Sequence, residues 1–492
     1  MKVAIIGAGI GGLSTAALLA ANGDEVHVFE KNAGFGGKLN ILERDNYRFD
    51  TGPSLFTMPY ILEKLYQKLG TTLHDELLLR TLSPLCRYFY HDGTQFDCFD
   101  DQPKTLHQIR EIAPEDESAF SEFLAYSENI YNKTAKAFIF NPLYEFQDFR
   151  NLDVLSFFGI DAFTTVSDRV DSKFKSEYLR KFFKRFTTYN GSSPFLAPAT
   201  LNVIPHVEIN QGGFYIDGGL FKLAENLHNL ALKAGVHFHF NANVQQIKAD
   251  KFRAKGLLVN NEFFESDIVV SNSDATETVV HLLHTDVVSA AKKRKAASIE
   301  PSSSGFVLLL GIDTQYPQLV HHNLFFSDDY EREFQQIFND RIMPGDPSIY
   351  IVNTSFTNPE HAPNGGSNLF ILVNAPYLSF SYNWDEQAKN YASKIVHLLE
   401  KHGLTNLEKH IRLQEIITPK DFYDRYASNK GSIYGTSSNS KFAAFARPRN
   451  KYRGLKGLYL VGGSTHPGGG IPLVIQSALN AVELIHRHEK QV

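Results

Sequence analysis

The sequence predicts an α/β fold with a Rossmann-like unit at its start, to which the far end of the chain returns. Three observations carry this. Strand, glycine turn, helix, strand and acid follow in order from Lys2 to Glu30. A second glycine patch comes straight after. A strand, a glycine-rich turn and a helix then recur near the carboxyl end.

Composition sets the frame. The 492 residues, 43% hydrophobic and 21% charged, suffice for roughly three units at about 150 residues each. Such proportions exclude a disordered, collagen-like or coiled-coil chain. A formal charge of −5 gives no electrostatic reason to expect nucleic acid. Two cysteines, Cys86 and Cys98, are too few for a disulfide framework or thiolate metal site and suit a reducing compartment. The longest apolar candidate, Phe306 to Gly311, is strand-sized, far short of the roughly 18 residues of a transmembrane span. Met1 to Gly7 runs directly into a glycine turn, without the basic stretch and apolar block of a secretory signal, so a cytoplasmic protein is expected.

Lys2–Ile6 is a β-branched run bounded by glycine and reads as a buried strand. Gly7, Gly9 and Gly12 give G-x-G-x-x-G, and Leu13 to Ala21, rich in alanine and leucine, reads as a helix ended by Asn22-Gly23. Glu25–Phe29 is the next strand, and Glu30 stands 18 residues past Gly12. The first glycine permits a tight turn, the second lets backbone approach a pyrophosphate, and the third lets helix and strand pack closely. Phosphates then meet free N–H groups and the positive end of the helix dipole. Glu30 is placed to accept hydrogen bonds from a ribose diol and would repel a 2′-phosphate. A glycine turn without a ligand is the alternative; it leaves the register of strand, helix and acid unexplained.

Gly34-Phe35-Gly36-Gly37-Lys38 gives the same pyrophosphate a second backbone approach. Lys38 adds a cation for phosphate or for the polar edge of a flavin. A surface loop is the bland reading. Asp50-Thr51-Gly52-Pro53-Ser54 is a further close-approach turn, expected beside the isoalloxazine. At the other end, Leu458 to Val461 reads as a buried strand, Gly462 to Gly470 as a turn with five glycines in nine residues, and Pro472 as the first turn of a helix. That helix N-terminus is suited to the negative charge of a reduced ring.

Gly7 to Gly12, Glu30, Gly36-Gly37 and Gly462 to Ser477 together resemble the bacterial-type phytoene desaturase family of FAD-dependent carotenoid desaturases. The likeness runs over nearly the whole chain, through Gly212-Gly213 to Gly218-Gly219 and Ile268 to Ala275. Two positions depart from the pattern: Gly469, where Ser, Thr, Ala or Val is usual, and Lys38, where Arg is frequent. Within the family the hydroxycarotenoid 3,4-desaturase branch is the nearest likeness. The resemblance implies the flavin amine oxidase/GDI-like superfold: a Rossmann-like FAD-binding domain of residues 1–80, 212–275 and 412–492, and an inserted substrate domain of residues 81–211 and 276–411 with a mixed sheet and a helical part that could contact a membrane. It implies that FAD is held by Gly7, Gly9, Ile10, Gly11, Gly12, Glu30, Lys31, Gly36, Gly37, Lys38, Pro53, Ser54, Val244, Asn272, Gly462, Gly463, Gly470, Ile471 and Pro472, with the Val244 backbone meeting adenine. The expected substrate is a long linear carotenoid taken from membrane lipid, with hydride passing to the flavin and a proton lost from the neighbouring carbon. Oxygen or a quinone is the expected electron acceptor.

The inserted unit holds the hydrophobic signal. The chain has 39 Phe and 22 Tyr against one Trp, and Phe138, Phe140, Phe146, Phe149, Phe157, Phe158 and Phe163 fall close together. Each reads first as core; some, Phe157 and Phe158 in particular, are candidates for an apolar substrate tunnel. Phe174, Tyr178, Phe182, Phe186 and Tyr189 recur at helical spacing among Lys173, Lys175, Arg180, Lys181, Lys184 and Arg185. This is either a core helix with a solvated basic back or an amphipathic helix lying on the inner face of the membrane. Peripheral membrane contact is expected because the substrate is insoluble. Lys292-Lys293-Arg294-Lys295 reads as solvated surface. His466, in the carboxyl-terminal turn, is the one proton-handling candidate, against a loop-bonding role. No metal-ligand constellation appears in the sequence. Three rivals stand beside this reading: a flavin amine oxidase, a retinoid saturase-like reductase, and a prenyl-chain-binding escort protein of GDI-like fold.

Overall fold

The computed structural model describes residues 1–140, 160–379, 382–440 and 447–489. Five parallel strands form one sheet in the order Leu458–Leu460, Ile268–Ser271, Lys2–Ile6, Glu25–Phe29, His237–His239. Both ends of the chain and its middle therefore meet in one layer. The central strands are buried on both faces, which is why they read as unbroken Val, Ile and Ala. Helix Ile10–Ala21 is buried from Ile10 to Ala20. Its glycines and alanines let the helices Ile471–Glu489 and Phe221–Lys233 pack against it.

A three-stranded antiparallel sheet, Val244–Ala249, Ala254–Val259 and Glu262–Glu265, lies beside this layer. Asn260 and Asn261, with φ of 48° and 70°, form the two-residue turn that Asn tolerates best after glycine.

The third sheet has seven strands in the order Ile411–Ile417, Ser304–Ile312, Ser367–Ala375, Ile349–Asn353, His322–Phe325, Cys86–Phe89, Gln95–Cys98. All its pairs are antiparallel except His322–Phe325 with Cys86–Phe89. Ser304–Ile312 is buried along its whole length. Cys86 lies opposite Cys98 in register, and both are free and buried.

Helices Glu117–Phe138, Val166–Lys173 and Glu177–Lys184 pack an aromatic core against this sheet. Here one expectation is corrected. The aromatic periodicity from Phe174 to Tyr189 does not form one helix: one helix ends at Lys173, the next runs from Glu177, and Arg185–Asn190 is a 3-10 turn. Phe174, Phe182 and Phe186 are buried inside the protein, and Phe174 stacks on Phe183 with centroids 4.7 Å apart. Lys181 is buried too, its ammonium donating to the carbonyls of Ser327 and Asp328. Phe174, Phe182 and Phe186 are thus committed to the core rather than to an outward-facing aromatic stripe.

Phe146, Phe149, Phe157 and Phe158 lie outside the described residues. Phe163, by contrast, is 80% exposed. Among the described residues no helix is long and apolar enough to cross a membrane, and no group of three or more His, Cys, Asp and Glu could hold a metal ion.

Candidate cofactor and substrate site

The first glycine turn leaves strand Lys2–Ile6 with Gly7 at φ +90°. Gly9 is the N-cap of helix Ile10–Ala21, with no side-chain cap and no acid in the first turn. The helix end thus offers its N–H groups to an external anion. A Cβ on Gly12 would sit 2.1 Å from the Gly7 carbonyl oxygen, so Gly12 is needed to fold the loop back on itself. Glu30 is buried. Its Oε2 accepts from the Ala8 N–H at 2.8 Å, and its Oε1 accepts from both the backbone and the side chain of Asn32 at 2.9 and 2.8 Å.

The second glycine patch packs on the first. Gly36 N–H donates to the Ala8 carbonyl at 2.8 Å, and a Cβ on Gly37 would stand 3.2 Å from the Gly9 Cα. Lys38 is enclosed beside them, its Nζ donating to the carbonyls of Ser432 and Ile433 at 3.1 Å each. Burial pulls its ammonium down to about 8, against a partial lift from Asp274. Lys31 donates to the Asp424 carbonyl at 2.7 Å.

Asn272 ties the two ends of the chain together. It follows strand Ile268–Ser271, and its Nδ2 lies 3.5 Å from the Gly7 carbonyl. A Cβ on Gly11 would come within 2.5 Å of its Oδ1 and 3.1 Å of Gly462 N, and a Cβ on Gly462 within 2.8 Å of the same Oδ1. Two loops from opposite ends of the chain converge on this one amide because neither carries a side chain there. Val461 N–H donates to the Ser271 carbonyl, and Gly462 N–H to Ser477 Oγ, both at 2.9 Å. Gly469 has a local reason to lack a side chain: a Cβ there would lie 3.1 Å from Tyr434 Cδ1.

One cavity of about 710 Å³ is shared by these loops and by apolar side chains. Glu30, Val244, Gly7, Gly9, Ile10, Gly11, Lys31, Gly36, Gly37, Lys38, Pro53, Ser54 and Asn272 line it. So do Gly462, Gly463, Gly470, Ile471 and Pro472 of the carboxyl-terminal turn, and the apolar Leu201, Val207, Phe370 and Leu372. Gly12 and His466 are not among the lining residues. The backbone N–H of His466 donates to the Pro448 carbonyl. An uncapped helix N-terminus, close-packed glycines and an acid at the strand end suit an adenine dinucleotide.

Two lining residues, Glu208 and Tyr350, carried no functional signal in the sequence, and two more, Arg185 and Tyr189, were read there only as part of a basic aromatic helix. Arg185 pairs with Glu208 at 2.5 Å, both buried, and Tyr350 Oη lies 3.1 Å from Ser54 Oγ. Arg447 likewise carried no functional signal. Its Nη1 donates to the Gly463 carbonyl and its Nη2 to Asn190 Oδ1, each at 3.4 Å. Burial alone pulls its guanidinium down to about 10.

Comparison with known proteins gives consistent results. Residues 10–486 match the family described as flavin containing amine oxidoreductase. The chain is 35% identical over 492 residues to a 4,4′-diaponeurosporene oxygenase of Staphylococcus aureus, covering 99% of this chain and 98% of that one. It is 35% identical over 496 residues to the protein of the same name from Staphylococcus haemolyticus, covering 100% and 98%. Cyclohexylamine oxidase from Brevibacterium oxydans aligns over 100% of this chain and 99% of its own, with TM-score 0.65 and 14% identity. A Rab GDI from Plasmodium falciparum aligns over 98% and 97%, with TM-score 0.55 and 11% identity. These two likenesses speak for the fold.

Proposed function

The chain belongs to the family of flavin-containing amine oxidoreductases and is an FAD-dependent oxidoreductase; from that premise we propose that it desaturates a long linear carotenoid. The finer reading is a hydroxylated carotenoid desaturated at its 3,4 bond. One observation carries the proposal: a single cavity runs from the glycine loops to a wall of Leu, Val and Phe side chains. A polyene has almost nothing to hydrogen-bond and binds by burial and shape. The names of the staphylococcal relatives support a carotenoid as the substrate class.

We assign the two glycine patches, Glu30, Val244, Asn272 and the Gly462 to Pro472 turn to FAD, and the inserted unit to substrate. FAD bound there would supply the acceptor for a hydride, carrying two electrons, from an allylic carbon, while the neighbouring carbon loses a proton to solvent or a base. The chain's own share is orientation and the exclusion of water. Close-packed loops fix the cofactor end, and the apolar wall lays the polyene beside it. Oxygen or a quinone is proposed as final acceptor. Peripheral contact with the cytoplasmic face of a membrane is proposed too. Phe163 and Leu196, 80% and 46% exposed on segments joined through the Thr165–Pro198 bridge, support that contact.

A second reading, oxygenation of a carotenoid end group, is favoured by the relatives' name. Incubating FAD-loaded protein with a panel of linear carotenoids separates the two. A red-shifted product lacking two hydrogens supports desaturation, a product that has gained oxygen supports the second reading, and a product that has gained two hydrogens supports the saturase-like rival. Protein that stays colourless after soaking with FAD speaks for the prenyl-chain binder.

A further inference from the structure

An apolar chain asks only for an apolar wall, and a charge pair set into that wall carries a desolvation cost. Yet Arg185 and Glu208, 5% and 2% exposed, both line the cavity. Arg185 Nη1 donates to Tyr189 Oη at 2.9 Å, and its Nη2 donates to Glu208 Oε1 and to Tyr88 Oη. Tyr189 Oη donates in turn to Glu208 Oε2. The guanidinium Nε is buried without a hydrogen-bond partner.

Position gives the cluster meaning. Asn190, in the same 3-10 turn as Arg185, is held by Arg447, which also donates to Gly463 of the carboxyl-terminal loop. Tyr350, which lines the same wall, meets Ser54 of the Asp50 to Ser54 turn. The pair therefore stands where loops from both ends of the chain face the apolar wall.

We propose that Arg185, Tyr189 and Glu208 anchor a neutral oxygen function, a hydroxyl or a carbonyl, on the substrate beside its reacting carbons. This deepens the carotenoid reading and rests on it. Opposite charges on Arg185 and Glu208 cancel, so an uncharged oxygen meets no like charge. A carboxylate would face Glu208 and an amine would face Arg185. Both are disfavoured.

The test compares a linear polyene hydrocarbon with the same polyene carrying a hydroxyl near one end. Dissociation constants for FAD-loaded protein are read from the induced visible circular dichroism of the bound polyene. Wild type is expected to prefer the hydroxylated polyene by about tenfold, the worth of one good hydrogen bond. Tyr189→Phe and Glu208→Gln bring that ratio close to one, while flavin content and affinity for the hydrocarbon hold. Equal affinities in wild type, or equal losses for both polyenes, overturn the anchor. Should Glu208→Gln fail to fold, Tyr189→Phe decides, since it removes one oxygen and keeps the ring. Turnover is scored separately. Absence of turnover on both polyenes counts against the carotenoid reading, whereas a missing preference with turnover intact counts against the anchor alone.

Discussion

Where the glycine loops line the cavity the wall is backbone: Gly9, Gly11 and Gly462 approach Asn272 at distances that leave no room for a Cβ, and Gly37 packs on Gly9. Elsewhere the lining is side chain, with Leu201, Val207, Phe370, Leu372 and the Arg185–Glu208 pair. Backbone walls present N–H groups and suit a charged, invariant ligand. Side-chain walls can change shape by substitution and suit a ligand recognised by length and outline. On the proposed assignment, the backbone part suits a fixed cofactor and the side-chain part a substrate that can differ between related enzymes.

That contrast is open to breaking by mutation. The largest effect is expected at the substrate end. Glu208→Ala strands a buried guanidinium and should cost about 3–5 kcal/mol of stability, read as a lower denaturant midpoint with no change in slope. Next is Gly12→Ala, whose Cβ would lie 2.1 Å from the Gly7 oxygen. Overpacking of this kind costs about 1–3 kcal/mol, and the purified variant should hold far less flavin per chain. Glu30→Leu removes the acceptor for Ala8 and Asn32 and should weaken FAD binding by roughly 10- to 100-fold. Unchanged flavin content would refute its assignment to the ribose.

Two smaller effects sharpen the picture. The buried ammonium of Lys38 titrates near 8 in the folded chain, against 10.5 as the ordinary value. The unfolded chain then binds the extra proton between those values, so flavin-free protein should gain stability as pH rises from 8 towards 10.5. Below the lower value the gain is absent. Lys38→Met should flatten that slope, as followed by thermal melting across pH. Gly469→Ala meets Tyr434 at 3.1 Å, a contact relieved by a small ring movement. Its cost should stay below about 1 kcal/mol and vanish in a Tyr434→Leu background.

The same contrast explains what was legible in the sequence. Glycine at fixed offsets has few physical uses, so the loops at Gly7, Gly36 and Gly462 and the parallel strands behind them could be read directly. Asn272 was reached only through resemblance, because a single amide after a strand has many ordinary roles. Arg185 and Lys181 were misread as part of a solvated or lipid-facing basic edge. Arg and Lys are exposed by default, and the groups that bury these two, Glu208 and the carbonyls of Ser327 and Asp328, are distant in sequence. Phenylalanine spacing could not tell core from tunnel, since both demand the same side chain, and it did not show the breaks at Phe174 and Arg185.

The central claim is that one flavin is held where the two ends of the chain meet, with its reactive face turned to the apolar wall. Titrating air-free, FAD-loaded protein with a linear hydroxylated carotenoid tests it most directly. The account predicts that flavin bleaching and the red shift of the polyene advance together, one new double bond for each flavin reduced. A polyene that binds and stays unchanged beside an oxidised flavin would contradict it.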